Sequence, residues 1–287
     1  MPITIITDSA ADLSKEIIDR YNIHVVPLCV YLNNEELFDG ESLKSDKLYK
    51  DMREGAVYKT GQVPPENFKK VFTDYAKKNR NCIYIAFSSG LSGTYQASEI
   101  AKEEVLEEYP NFNIDIIDTK CASLGFGLIV YKAVKLLEQG KSQEEIVRAI
   151  KFYSDHMEHV FTVDNLEYLL RGGRVSRTSA FIGGILNIKP ILNVEDGKLV
   201  PLEKVRGRKK ALKRLVEIAQ ERGINLAEQT IAISHGDALA DAETVRDMMI
   251  ETLGCKDFII TTIGCVVGAH AGPGTVALFF LNKELTL

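Results

Sequence analysis

IAFSSGLSGTYQ, residues 85–96, begins as a buried strand, breaks into a run of serine and glycine, and resumes with helical spacing. A strand that feeds a helix through a short polar loop is the unit of a parallel α/β sheet, and the same change of rhythm recurs along the chain. Apolar runs at 3–7, 24–32, 83–87 and 114–118 read as strands, and helical periods fit 14–21, 65–78, 94–109 and 142–157. The pair Pro64-Pro65 marks the start of the second of these helices, because proline is tolerated at the first helical position. After residue 157 the pattern restarts, with strands expected at 159–163, 190–194, 198–205, 230–234, 258–263 and 276–281 and helices at 208–222 and 238–253. EDGK at 195–198 joins two of those strands as a hairpin, which makes the second sheet mixed. The expected fold is α/β with two α/β domains: 1–156 with a mainly parallel, doubly wound sheet, and 157–287 with a mixed one.

Composition narrows the function classes. The 287 residues, 45% hydrophobic and 26% charged, are those of a soluble globular protein. The amino terminus has no basic region ahead of an apolar one and meets Asp8 early, so neither a signal peptide nor a transit peptide is expected. No apolar run reaches the roughly 18 to 20 residues that span a bilayer. Five cysteines (Cys29, Cys82, Cys121, Cys255, Cys265), without CxxC spacing, suit reduced core thiols in a cytoplasm. A net charge of -5 argues against nucleic acid as the main partner. Against that trend, KVRGRKKALKR (204–214) reads as the solvated side of a helix whose Leu212, Leu215 and Val216 face a core, or as a docking patch for an anion or acidic partner.

The polar breaks TDSA, SSGLSG, DTK and SHGD each follow a strand, where open α/β sheets place ligands. In the 88–93 loop, backbone N–H groups at a helix start, a hydroxyl and the close approach that glycine allows would receive a carboxylate or phosphate; Ser92 could equally be a helix cap. The order Ser92, Asp118 or Asp164, His270 also fits an α/β-hydrolase, although Thr94 stands where the nucleophile elbow needs its second glycine. His270 falls among glycines in a loop ahead of an apolar strand, and Thr60 and Gln62 in a loop before a proline-led helix. LRGGRVSRT (170–178) and FIGGILNIKPIL (181–192) read as a flexible turn and core helix, or as one side of a greasy pocket with a charged rim. Asp8-Ser9 and Asp118-Thr119 read as caps or as ligand contacts. His156 and His159 beside Asp155 and Glu158 read as a solvated face, with no metal site expected. Neither GxxxxGK[ST] nor GxGxxG after a strand is present, so no nucleotide cofactor is expected.

TDSAADL (7–13), TGQVPPENF (60–68), SSGLSGTYQ (88–96), DTKCASLGFG (118–127), LEYLLRGGRVS (166–176), KPIL (189–192) and GAHAGPG (268–274), in this order and over nearly the whole chain, resemble the DegV family. The resemblance implies two α/β domains with a long-chain, palmitate-like fatty acid between them, as in the binding subunit of bacterial fatty acid kinase. It implies that Thr60 and Ser92 donate to the head group, with Gly93 and His270 beside it, and that a separate ATP-dependent kinase converts the carboxylate to an acyl phosphate. The chain would then be a carrier without catalytic residues or a cofactor of its own, and Arg174 and Arg206 would be candidates for meeting phosphate or the kinase. The family often has Thr-Ser-Gln-Pro where this chain has Thr60-Gly61-Gln62-Val63. Burying a sixteen-carbon chain is worth roughly 12 kcal/mol against an association cost of about 4 to 15 kcal/mol, so affinity would reside in a preformed tunnel and orientation in the head-group contacts.

Overall fold

The computed structural model describes residues 2–175 and 187–285. The first half runs β1 (Ile3–Asp8), α1 (Lys15–Tyr21), β2 (His24–Val26), β3 (Cys29–Leu32), β4 (Glu35–Phe38), α2 (Ser45–Arg53), β5 (Lys59–Gly61), α3 (Pro65–Lys77), β6 (Asn81–Ala86), α4 (Thr94–Glu108), β7 (Ile114–Asp118), α5 (Leu124–Glu138) and α6 (Gln143–His156). The second runs β8 (Met157–Thr162), α7 (Glu167–Arg171), β9 (Ile188–Glu195), β10 (Lys198–Arg206), α8 (Arg208–Arg222), β11 (Thr230–His235), α9 (Leu239–Leu253), β12 (Asp257–Thr262), α10 (Cys265–Ala271) and β13 (Val276–Leu281).

Three departures from the sequence reading have physical causes. The run 24–32 is two strands in different sheets, because Pro27 has no N–H to give a ladder; Leu28 N donates instead to Ser9 Oγ at 3.1 Å. Helix α5 went unread because its first two turns are buried on every side, which leaves no amphipathic period to detect. His270 lies on a helix, α10, in a segment whose glycines read as loop. The 181–186 part of the proposed core helix lies outside the described residues, and Ile188 to Leu192 form strand.

The first sheet, β2-β1-β6-β7, is wholly parallel, and the pairs α3–α4 and α5–α6 pack on its faces. Between β1 and β6 the connections diverge, so residues 8–12 and 87–93 leave adjacent carboxyl ends, the crevice where such sheets bind ligands. The second sheet, β10-β9-β8-β13-β11-β12, is mixed, with β11 and β12 its parallel pair. The EDGK hairpin is present: β9 and β10 are antiparallel, and Asp196 (φ 46°) and Gly197 (φ 74°) supply two left-handed residues, as a two-residue turn matched to strand twist requires. A small antiparallel sheet, β4-β3-β5, completes the fold.

No strand of the second sheet precedes Met157, yet one core cluster takes in Ile6, Tyr84 and Phe126 together with Phe161, Leu192 and Phe279. Polar seams join the halves as well: Tyr49 Oη donates to Ile263 O at 3.0 Å, and Ser123 Oγ lies 2.9 Å from Ser234 Oγ. The basic segment spans the end of β10 and the start of α8, with Leu212, Leu215 and Val216 buried as expected. Arg214 pairs with Glu203 and Glu221.

Asp8, fully buried at the end of β1, caps the turn that follows and is tied into the core, away from the cavity lining. Its carboxylate accepts from Phe87 N (3.0 Å), Tyr84 Oη (2.8 Å) and Ala10 N (3.2 Å). Burial outweighs these bonds and pushes its pKa up to about 6. Between pH 4 and 6 the native state therefore keeps a proton that the unfolded chain has lost, so this group's contribution to stability falls as pH rises through that window. The stability of the parent chain relative to Asp8→Asn is expected to fall by about 2 kcal/mol from pH 4 to 6. Denaturant unfolding at the two pH values measures this; a constant difference would contradict it.

Candidate functional site

A cavity of about 190 Å³ between the two halves, far larger than the voids of a packed interior, is the candidate binding space. Leu28, Phe87, Phe161, Val194, Leu199 and Phe279 supply apolar wall, while Thr60, Ser92, Gly93, Arg174 and His270 also line it. Five of the six site residues inferred from sequence therefore meet at one space. Arg206 does not: it is exposed at the end of β10.

Thr60 is held by pairing with Val30 in the small sheet, and its Oγ1 lies 2.7 Å from His270 Nε2. The loop of Ser92 is a turn closed by Leu91 N and Ser92 N on Ser88 O. Ser92 Oγ accepts from Thr94 N at 3.3 Å and lies 2.9 Å from Thr94 Oγ1. Thr94 Oγ1 in turn accepts from Val63 N at 3.3 Å, which ties the Thr60 loop to the helix. Gly93, not Ser92, is the residue at the helix boundary, and α4 has no side-chain cap hydrogen bond there. A Cβ on Gly93 would fall 1.9 Å from Gln62 Oε1, so the carboxamide of Gln62 lies directly against this bare backbone and a side chain here would displace it.

Burial and the nearby Arg174 charge lower the His270 pKa to about 4. The ring is thus neutral at pH 7, with one nitrogen able to donate and the other to accept. Arg174 Nε donates to Leu91 O at 3.2 Å and Nη1 to Gly172 O at 2.7 Å, so the guanidinium clamps the serine loop to the turn after α7. A largely apolar cavity is therefore lined by two hydroxyls, a neutral imidazole and a cation, with Gln62, Ser123, His159 and Thr275 as further polar wall. Such a set suits an anion with an apolar tail, whose carboxylate would cost several kcal/mol to bury unpaired. Gly172 presses on the imidazole, and a Cβ there would fall 2.1 Å from His270 Nδ1. Gly172→Ala is expected to displace the ring and break the Thr60–His270 contact. Histidine NMR resonances identical to those of the parent would contradict this.

The hydrolase constellation is not assembled. Ser92 Oγ is engaged with Thr94, and His270 Nε2 with Thr60. Asp118 accepts from Ser89 N at 3.1 Å and pairs with Lys120 at 3.0 Å, and Asp164 pairs with Lys189 at 2.7 Å. The solvated-face reading fails for His159, which is buried: Nδ1 donates to Met157 O at 3.1 Å, and Nε2 accepts from Ala122 N at 3.2 Å. His156 meets Asn282 Oδ1 at 3.0 Å, and among the described residues no cluster of three metal-ligating side chains occurs. The sequence reading did not anticipate the aromatic wall from β8 and β13, whose alternating residues carry no signal beyond that of any half-buried strand.

Residues 2–283 match the family described as an uncharacterised protein, DegV family. A DegV domain-containing protein of Clostridium perfringens is 45% identical over 97% of both chains. Among solved structures, a DegV family protein from Thermus thermophilus, described by its fatty acid binding, shares 30% identity with a TM-score of 0.87, over 97% of this chain and 99% of that one. A stearic acid-binding protein from Eubacterium ventriosum shares 26% identity at TM-score 0.87, over 99% and 100% of the two chains. No helix among the described residues is long and apolar enough to cross a membrane.

Proposed function

The chain belongs to the DegV family, and from that premise we propose that it binds a long-chain fatty acid in the cavity between its halves, 1–156 and 157–287, and presents the carboxylate to a separate ATP-dependent kinase. The observation that carries this reading is the meeting of Thr60, Ser92, His270 and Arg174 on one largely apolar cavity, with His270 Nε2 2.7 Å from Thr60 Oγ1. Thr60 and Ser92 hydroxyls and a neutral His270 would share the carboxylate oxygens, with the bare Gly93 backbone leaving room for their approach. Arg174, charged and half-buried at the same rim, would meet the phosphoryl group as the acyl phosphate forms, and the exposed Arg206 would contact the kinase. The fatty-acid-binding relatives support the ligand class. The chain itself would act without a cofactor and without phosphoryl chemistry of its own. A cytoplasmic setting accords with five buried, unbridged cysteines.

The test is reconstitution. Palmitate-loaded protein mixed with ATP and a DegV-partner kinase is expected to yield an acyl phosphate that hydroxylamine traps, whereas either protein alone yields none. Trapped product from this chain and ATP alone would contradict the carrier role.

A further inference from the structure

Helix α10 carries His270 but is poorly equipped to hold itself in place. Its seven residues, CVVGAHA, begin at Cys265 after a Gly264 that offers no side-chain cap, and so short a helix has little stability of its own. The N–H groups of its first turn need acceptors, and two carboxylates remote in sequence provide them. Asp39 accepts from Cys265 N at 2.7 Å and from Val266 N at 3.2 Å. Asp12 accepts from Gly264 N at 2.8 Å. Both acids are buried, at 4% and 6% exposure, so these bonds are shielded from water; burial pushes both pKa values up, that of Asp12 well above the usual carboxylate range, while the N–H groups at the start of α10 pull them back. The fit leaves no slack: a Cβ on Gly264 would fall 2.8 Å from Asp12 Oδ1 and 3.2 Å from Asp39 Oδ2. His270 lies six residues beyond Gly264, about 9 Å along the axis, and there its Nε2 meets Thr60. Neither acid lines the cavity.

We infer that Asp39, seconded by Asp12, is a positioning residue for the head-group site: by gripping the first turn of α10 it sets the place and ring orientation of His270 against Thr60. The inference rests on the fatty acid reading for its consequence, while the geometry it concerns exists without ligand.

The test uses the full chain carrying ¹⁵N-labelled histidine and [1-¹³C]palmitate, with Asp39→Asn, whose carboxamide puts an N–H₂ where one backbone N–H needs an acceptor. The His270 ring signals are expected to leave their parent positions for those of mixed tautomers. The palmitate carboxyl resonance should move toward its position in His270→Ala, while His159 signals and one-to-one lipid retention stay unchanged. An Asp39→Asn protein that melts at lower temperature yet keeps both resonances at their parent positions would reduce the acid to a structural role and overturn the inference. Failure of the fatty acid reading is seen separately, as a parent protein that takes up no palmitate; the His270 ring signals then decide alone. Should Asp39→Asn not fold, Asp12→Gly, which removes the acceptor of Gly264 N and suits the left-handed backbone at that position (φ 52°), carries the same comparison with a smaller expected displacement.

Discussion

Ser92→Ala, Thr60→Ala and His270→Ala proteins are expected to retain palmitate at one per chain while supporting acyl phosphate formation roughly ten- to a hundredfold more slowly. The tail supplies the burial energy, roughly 12 kcal/mol for sixteen carbons, and none of these substitutions touches the apolar wall. What they remove is one hydrogen bond to a charged group, worth about 1.5 to 3 kcal/mol, and with it the orientation in which the carboxylate meets the kinase; at about 1.4 kcal/mol per factor of ten, that is the stated range. Thr60 and His270 touch each other at 2.7 Å, so their double substitution should cost less than the sum of the singles. Lipid content by mass spectrometry and initial rates in the reconstituted kinase assay separate the two quantities. Equal losses of retention and rate would contradict the division of labour between tail and head group.

Ala277→Phe is expected to do the reverse and empty the cavity. Ala277 lies on β13, 6% exposed and facing the cavity, so a phenyl ring there occupies space that the chain would take. Displacing four or five methylenes forfeits about 3 to 4 kcal/mol, which corresponds to a few hundred- to a thousandfold in Kd. Because the ring enters a void rather than packed core, unfolding temperature without lipid should change little; overpacking would instead lower it by the equivalent of about 1 to 3 kcal/mol. Competition with a fluorescent fatty acid measures the affinity. Parent-like affinity would place the tail elsewhere.

Much of this arrangement was legible in the sequence, and the reasons differ from part to part. Strands such as β1, β6 and β11 announced themselves because one turn of polar residues follows each apolar run, and Asp196-Gly197 announced the hairpin. The loop of Ser92 and the proline-led helix after Thr60 were local patterns, and the resemblance to the DegV family joined them to His270 across 178 and 210 residues. Two kinds of information were beyond local reading. Helix α5 is buried around its first two turns, so its surroundings and not its periodicity make it a helix. Helix α10 has a glycine-rich sequence that favours loop, and the acceptors of its first N–H groups are Asp12 and Asp39, more than 220 residues away. The acids were equally silent, since an Asp after a strand or in a turn is ordinary in any chain.

Native mass spectrometry of the purified protein, followed by denaturing extraction, tests the central claim most directly. The account predicts a mass increment of one long-chain fatty acid per chain, lost intact on denaturation and identifiable in the extract. A clean apoprotein that takes up no added fatty acid, or one that hydrolyses acyl esters through Ser92, would contradict it.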